Sequence, residues 1–261
     1  MDDVTRRAQE LYDAHPYGDF SYDRQRERFY PLLLEALRGY RAGQQLWDVG
    51  CGSGFWARSY VEHGIPIEAI HLIDLSTSAI AALKARGFDA TVGDATALDV
   101  PDGAADITIC NGVIHHTSDP FRAFSELVRI TRPGGTIYVA VYNRWHPHFY
   151  LVHRLAAPLR WAYWNVSKRS ALPFMVPAAL LMQVVARLTT GHFTDWPTLR
   201  TKFADEVLTP RAALFTRPQV REWAARCGAR VVRMEYFVGR TMITALLEKA
   251  PGSHANTGEL G

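Results

Sequence analysis

Residues Leu46 to Gly54 read Leu-Trp-Asp-Val-Gly-Cys-Gly-Ser-Gly, and no other stretch restricts the fold so strongly. A short apolar run ends at Asp48 and Val49, and glycine then alternates at Gly50, Gly52 and Gly54. Glycine reaches backbone conformations closed to other residues and lets a ligand approach the main chain. Phe55-Trp56-Ala57-Arg58-Ser59-Tyr60 follows at once and reads as the start of a helix. A strand that turns tightly into a helix is the first unit of a nucleotide-type pocket. Asp74 closes a second apolar run about 20 residues on, where such folds place a carboxylate on ribose hydroxyls.

The chain beyond the bend alternates strand and helix. Strands are expected over Gln45–Val49, Ala69–Leu75, Asp89–Val92, Asp106–Cys110 and Thr136–Tyr142. Ser76 is placed to cap a helix running to Arg86, with Gly87 just past its end. Asp119 and Pro120 start another that reaches about Ile130, and Pro133-Gly134-Gly135 is expected to turn the chain into the fifth strand. Repeated units of this length imply a parallel sheet with helices on both faces. Before the sheet, Val4–Asp13 and Arg24–Leu37 carry apolar residues at helical spacing, with a turn at His15-Pro16-Tyr17-Gly18-Asp19. After it, residues 143–215 are too long for a structureless loop and read as a mostly helical insertion rich in aromatics. A helix from Thr216 to about Cys227 and strands over Arg230–Phe237 and Arg240–Glu248, joined at Val238-Gly239, complete the expected core.

This constellation resembles the class I S-adenosylmethionine-dependent methyltransferases, and specifically the small-molecule group known as types 11 and 12. The resemblance covers Leu46 to Thr136 well and resumes more weakly from Thr216 to Lys249. It implies an α/β, Rossmann-like, seven-stranded, mostly parallel sheet with an antiparallel last strand, a helical N-terminal cap and a helical insertion after strand five. The expected division is 1–42 cap, 43–142 cofactor-binding core, 143–215 substrate lid, 216–250 remainder of the core and 251–261 disordered tail.

S-adenosylmethionine has a ribose, an adenine, a sulfonium and an amino-acid end, and each part needs something different. Asp74 can accept from both ribose hydroxyls, and Leu75 is expected to pack on adenine. Gly50-Cys51-Gly52 offers main-chain approach for the amino-acid end, Gly54 completes the bend, and Asp48 adds negative charge near the ammonium. The resemblance assigns Asp94 to the exocyclic amine of adenine, Ala95 to a backbone contact, and Asn111-Gly112-Val113 to the methionyl part. Each feature alone has a plainer reading as a tight turn or helix cap. Their order at the ends of successive strands favours one ligand. A dinucleotide dehydrogenase is the nearest competitor, but its third glycine would fall at position 55, which is Phe.

His115 and His116 follow the fourth strand in Val113-Ile114-His115-His116-Thr117-Ser118-Asp119-Pro120. His115 is the first candidate for a general base or substrate-orienting group, because an unperturbed imidazole titrates near neutrality. His116 is expected to be structural. The segment also resembles quinone-precursor O-methyltransferases, some of which carry metal-holding carboxylates here. Gly112 and His115 stand at those positions, so no metal is expected. Tyr17, Tyr22 and Arg24 are candidates to close over the cofactor, and Tyr142 or Arg144 to orient a substrate.

A net charge of +3 gives no electrostatic case for a nucleic-acid partner. Cys51, Cys110 and Cys227 lack metal spacing and read as reduced thiols of a cytoplasmic protein. The first residues lack the apolar stretch of a secretory signal. Leu172–Leu188 is strongly apolar but Pro-interrupted, and reads as a lid over an apolar substrate in preference to a peripheral membrane contact. The expected partner is therefore a small molecule: a rather apolar or aromatic metabolite methylated on oxygen or nitrogen. A lipid or polyketide-like acceptor, or a cofactor-binding protein without catalysis, are the alternatives. Nothing in the sequence bears on oligomeric state.

Overall fold

The computed structural model describes residues 1–15, 27, 29–147, 154–171, 173–174, 176–177, 180, 200–201, 203–237 and 240–251. Its centre is a seven-stranded sheet. The strands are β1 (Leu46–Val49), β2 (Ile70–Asp74), β3 (Asp89–Val92), β4 (Ala105–Asn111), β5 (Thr131–Tyr142), β6 (Ala229–Tyr236) and β7 (Met242–Lys249). Their order is β3-β2-β1-β4-β5-β7-β6. The first five run parallel, and β7 pairs antiparallel with both β5 and β6. The direction of chain crossover reverses between β1 and β4. In such sheets the crevice beyond the strand ends at that point receives the ligand.

Period-2 alternation builds the two faces. On β5, Ile137, Val139 and Val141 join one buried cluster, while Tyr138 and Ala140 join the other. The first cluster is covered by α5 (Pro120–Ile130) and α7 (Arg217–Arg226) through Phe124, Leu127, Val220 and Ala224. The second is covered by α2 (Pro31–Arg38), α3 (Phe55–Glu62) and α4 (Thr77–Lys84) through Leu33, Leu37, Tyr60, Ile80 and Leu83. The caps are local chemistry. Ser76 accepts from Ala79 N, Asp119 from Arg122 N, and Thr216 forms a capping box with Gln219.

A third buried cluster lies outside the sheet. Leu11 of α1 (Asp3–Ala14) packs with Tyr163 of α6 (Ala157–Asn165) and with Phe203, Ala204 and Leu208. Residues Ala204–Leu208 form one turn of π-helix. The two described N-terminal helices therefore divide: α2 belongs to the sheet, whereas α1 joins the segment after β5.

Some expected boundaries shift. The fifth strand begins at Thr131, and Pro133-Gly134-Gly135 lies inside it as a bulge, since Ala105 faces Thr131 while Ile107 already faces Thr136. A Cβ on Gly135 would lie 2.6 Å from Thr131 Cγ2 and 3.0 Å from the Asp106 carbonyl oxygen, so a larger residue could not close that bulge. The helix expected over 24–37 is described from Pro31, with Pro at its first turn. The turn at 16–19, the Val238-Gly239 turn, Tyr17, Tyr22, Arg24, most of Leu172–Leu188 and the tail after 251 lie outside the described residues. Among the described residues no helix is long and apolar enough to cross a membrane.

Candidate active site

The glycine bend is built as its sequence suggests. Gly50, Gly52 and Gly54 have φ of +83°, +54° and +88°, a region that side chains rarely enter. Gly50 N and Cys51 N donate to the Ile73 carbonyl oxygen, at 2.7 and 3.1 Å, which ties the bend to the end of β2. The Asp74 carboxylate then closes it, with Oδ2 accepting from Gly52 N and Oδ1 from Ser76 N, both at 2.8 Å. Each oxygen keeps a lone pair for a further donor. Burial pushes this carboxyl above its ordinary range, against the two backbone N–H groups that pull it down.

Beyond the strand ends lies a cavity of about 270 Å³. Gly50, Cys51, Gly52, Asp74 and Leu75 line it, as do Asp94, Ala95, Asn111, Gly112 and Val113. Ten of the thirteen residues expected at the site therefore share one wall. Asp94 is fixed by an Asx turn, its Oδ1 accepting from Thr96 N at 2.8 Å.

The other three stand apart. Gly54 is the residue before α3 and does not reach the lining. Asp48 lies behind the bend, 2% exposed, with Tyr60 donating to its Oδ2 at 2.9 Å. His115 is fully buried, its ring 3.7 Å from that of Tyr142, and is not in the lining. His116 is. Both belong to the single 3₁₀ turn Ile114–His116, where successive side chains diverge by about 120°. Tyr142 also lines the cavity, whereas Arg144 is exposed.

Several lining residues were not expected. Thr5, Ala8 and Tyr12 come from one face of α1, at i, i+3 and i+7. That helix is anchored across the mouth of the sheet. Gln9 Nε2 donates to the Leu75 carbonyl at 3.0 Å, and Asp13 accepts from Ser76 Oγ, Thr77 Oγ1 and Ser78 N at 2.8 to 3.2 Å. Phe55, Trp56, Tyr30 and Met242 add apolar walls. Asp205, from the π-helical turn, is the third carboxylate of the lining. Helical spacing of small and polar residues on α1 could have suggested its inward face. Asp205 carries no local motif.

The match with known proteins agrees with this geometry. Residues 47–139 match the methyltransferase domain family. The chain is 32% identical over 127 residues to the demethylmenaquinone methyltransferase of Renibacterium salmoninarum, covering 48% of this chain and 51% of that one. It is 36% identical over 95 residues to the malonyl-[acyl-carrier protein] O-methyltransferase of Serratia marcescens, covering 36% and 37%. The chain carries a class I S-adenosylmethionine-dependent methyltransferase domain. The fold extends further than this similarity. A methyltransferase structure from Aquifex aeolicus superposes over 93% of this chain and 98% of its own with a TM-score of 0.52 at 12% identity. A chain from the Haloferax volcanii complex of the Trm112 activator with a methyltransferase gives 0.57 over 95% and 99% at 15% identity. The chain spans about half the length of the first curated relative and less of the second.

The methyltransferase domain implies S-adenosylmethionine as its cofactor, and the site's chemistry fits it. The lining offers carboxylates for ribose and adenine donors and a glycine bend without side chains. Gly93 adds a close approach, since a Cβ there would meet Ile73 Cγ2 at 2.8 Å.

Asp48 gives a test of the bend's electrostatics. Burial pushes its carboxyl up to about 7, although Tyr60 pulls it down. Between about pH 4, where the unfolded chain ionises, and about 7, folding takes up a proton. Stability contributed by this group is thus full below pH 4 and falls as pH rises towards 7. Asp48→Asn keeps an acceptor for Tyr60 and does not titrate. Urea denaturation of the cofactor-free protein should show the variant gaining on the parent from pH 4 to 8. Equal slopes would show that Asp48 does not titrate in this interval.

Proposed function

We propose that this protein transfers a methyl group from S-adenosylmethionine to an oxygen or nitrogen of a small, apolar or aromatic molecule. The observation that carries the reading is the convergence of Asp74, Asp94 and the Gly50–Gly52 bend on one cavity beyond the sheet. In this reading Asp74 holds the ribose, Leu75 and Asp94 the adenine, and the bend with Asn111, Gly112 and Val113 the methionyl end. Asp48 and Gly54 act from behind, by shaping the turn. The bound cofactor supplies an electrophilic methyl group on a sulfonium. The protein's own work is to orient the acceptor, exclude water and take up the acceptor's proton. Tyr30, Phe55, Trp56 and Met242 give the acceptor apolar walls, which supports an aromatic or aliphatic partner. The relatives are methyltransferases by name, which supports transfer over binding alone.

Calorimetry with S-adenosylmethionine, followed by an acceptor screen read as S-adenosylhomocysteine release, tests the reading. Binding with release that depends on a small acceptor is the expected result. Binding without release on any acceptor would point to a non-catalytic cofactor-binding protein. A lipid-like acceptor is the second reading. No Asp or Glu occurs from residue 144 to 194, where Arg144, Arg154, Arg160, Lys168 and Arg169 do. Leu155, Trp161, Val166 and Phe174 are each more than half exposed in the same stretch. Turnover that rises only when the acceptor is offered in anionic vesicles would select this reading.

A further inference from the structure

Four polar side chains from four separate segments meet at one side of the cavity. Tyr12 comes from α1, His116 from the 3₁₀ turn, Tyr142 from the end of β5 and Asp205 from the π-helical turn. Tyr12 donates to Asp205 Oδ1 at 3.0 Å, and Tyr142 donates to Oδ2 at 3.1 Å. Both oxygens of a carboxylate that is 8% exposed are thereby held in place. His116, 6% exposed, is fixed from its other side. Its Nδ1 lies 2.9 Å from the Arg211 carbonyl oxygen, which can only accept, so the proton sits on Nδ1. In the neutral imidazole Nε2 then carries a lone pair. It makes no hydrogen bond among the described residues and lies 3.4 Å from Asp205 Oδ1.

A carboxylate oxygen and an imidazole nitrogen this close are placed to share one added proton between them. We propose that the Asp205–His116 pair is the proton acceptor for the methyl acceptor, and that Tyr12 and Tyr142 position it. The site therefore takes a substrate whose nucleophilic atom is the oxygen of an ionisable hydroxyl, of which a phenol is the simplest kind. This rests on the methyltransferase reading above. In the step, the acceptor's O–H bond breaks and its proton goes to the pair. The oxygen's electron pair forms the new bond to the methyl carbon, and the breaking S–C pair stays on sulfur. With the cofactor bound, loss of its positive charge would coincide with neutralisation of the pair, so transfer would add no new charge to the buried site.

The groups acting on the pair favour this role. Burial raises the Asp205 carboxyl from its ordinary range and Glu206 adds to that, while His116 and the tyrosine hydroxyls pull it down. Asp74 faces the cavity from β2 and acts on Tyr12. His115, whose ring lies 4.2 Å from that of His116, is the remaining titratable neighbour from the same turn.

The test uses phenol against anisole, which has the same ring with its oxygen already methylated. Both are titrated by calorimetry into the full chain saturated with S-adenosylhomocysteine at pH 7.5. The phenol should bind at least tenfold tighter than the anisole. Asp205→Asn should erase that preference, and Tyr12→Phe, the milder variant, should reduce it about threefold. Absence of phenol binding, equal affinity for the two probes, or a preference that survives in Asp205→Asn would overturn the proposal. Failure of the parent protein to bind S-adenosylhomocysteine would overturn the cofactor reading instead.

Discussion

Asp74→Ala is expected to weaken S-adenosylmethionine binding by about tenfold to a thousandfold. A hydrogen bond to a charged group contributes about 1.5–3 kcal/mol, and the reading gives this carboxylate both ribose hydroxyls. The same substitution frees Gly52 N and Ser76 N, so the bend loses its closure as well as its ligand contact. Asn is no rescue, because its amide nitrogen would face one of those N–H groups. The measurement is calorimetry on Asp74→Ala with a thermal melt beside it. Unchanged affinity in a folded variant would remove Asp74 from the cofactor site. A pH dependence should accompany the parent's binding. Hydroxyl donors favour the ionised carboxyl, and burial raises its pKa. Affinity should therefore fall on acidification through that raised value.

Gly50→Ala is expected to destabilise the fold by about 2–5 kcal/mol. The residue has φ of +83°, where a left-handed conformation costs a side chain about 1–2 kcal/mol. An added Cβ would also lie 2.2 Å from Val113 Cγ2 and 2.9 Å from Val113 Cβ. A β-branched side chain has little freedom to swing away, and overpacking of this kind costs about 1–3 kcal/mol. The double variant Gly50→Ala with Val113→Ala separates the two causes. It should recover the part due to the two Cγ atoms and keep the backbone part with the remaining Cβ contact, so its denaturation midpoint should fall between those of Val113→Ala and Gly50→Ala. A double variant no more stable than Gly50→Ala alone would show that contact with Val113 is not what excludes a side chain there.

The cavity wall at the strand ends was legible because it is local. Each element of it sits within a few residues of a strand end, and strand ends announce themselves by apolar runs closed with Asp or Gly. Asp74 and Asp94 could be placed without knowing what lay opposite. The side formed by Tyr12, His116, Tyr142 and Asp205 is different in kind. Tyr12 and Asp205 touch across 193 positions of sequence, and no periodicity links them. The histidine pair shows a finer limit. Sequence reading chose His115 and took His116 as structural, although only His116 lines the cavity. The turn buries His115 against Tyr142 and gives His116 to the cavity. The early start of β5 has a similar origin. Pro-Gly-Gly signals a turn by propensity, and only pairing with β4 reveals it as a bulge within a strand.

The anchoring of α1 has a mechanical consequence. Gln9 and Asp13 grip the segment after β2, on the nucleoside side, while Tyr12 grips Asp205 on the other. One rigid rod therefore forms the roof of both compartments. A tilt of α1 that loosened the first grip would also displace the Tyr12 hydroxyl that steadies Asp205.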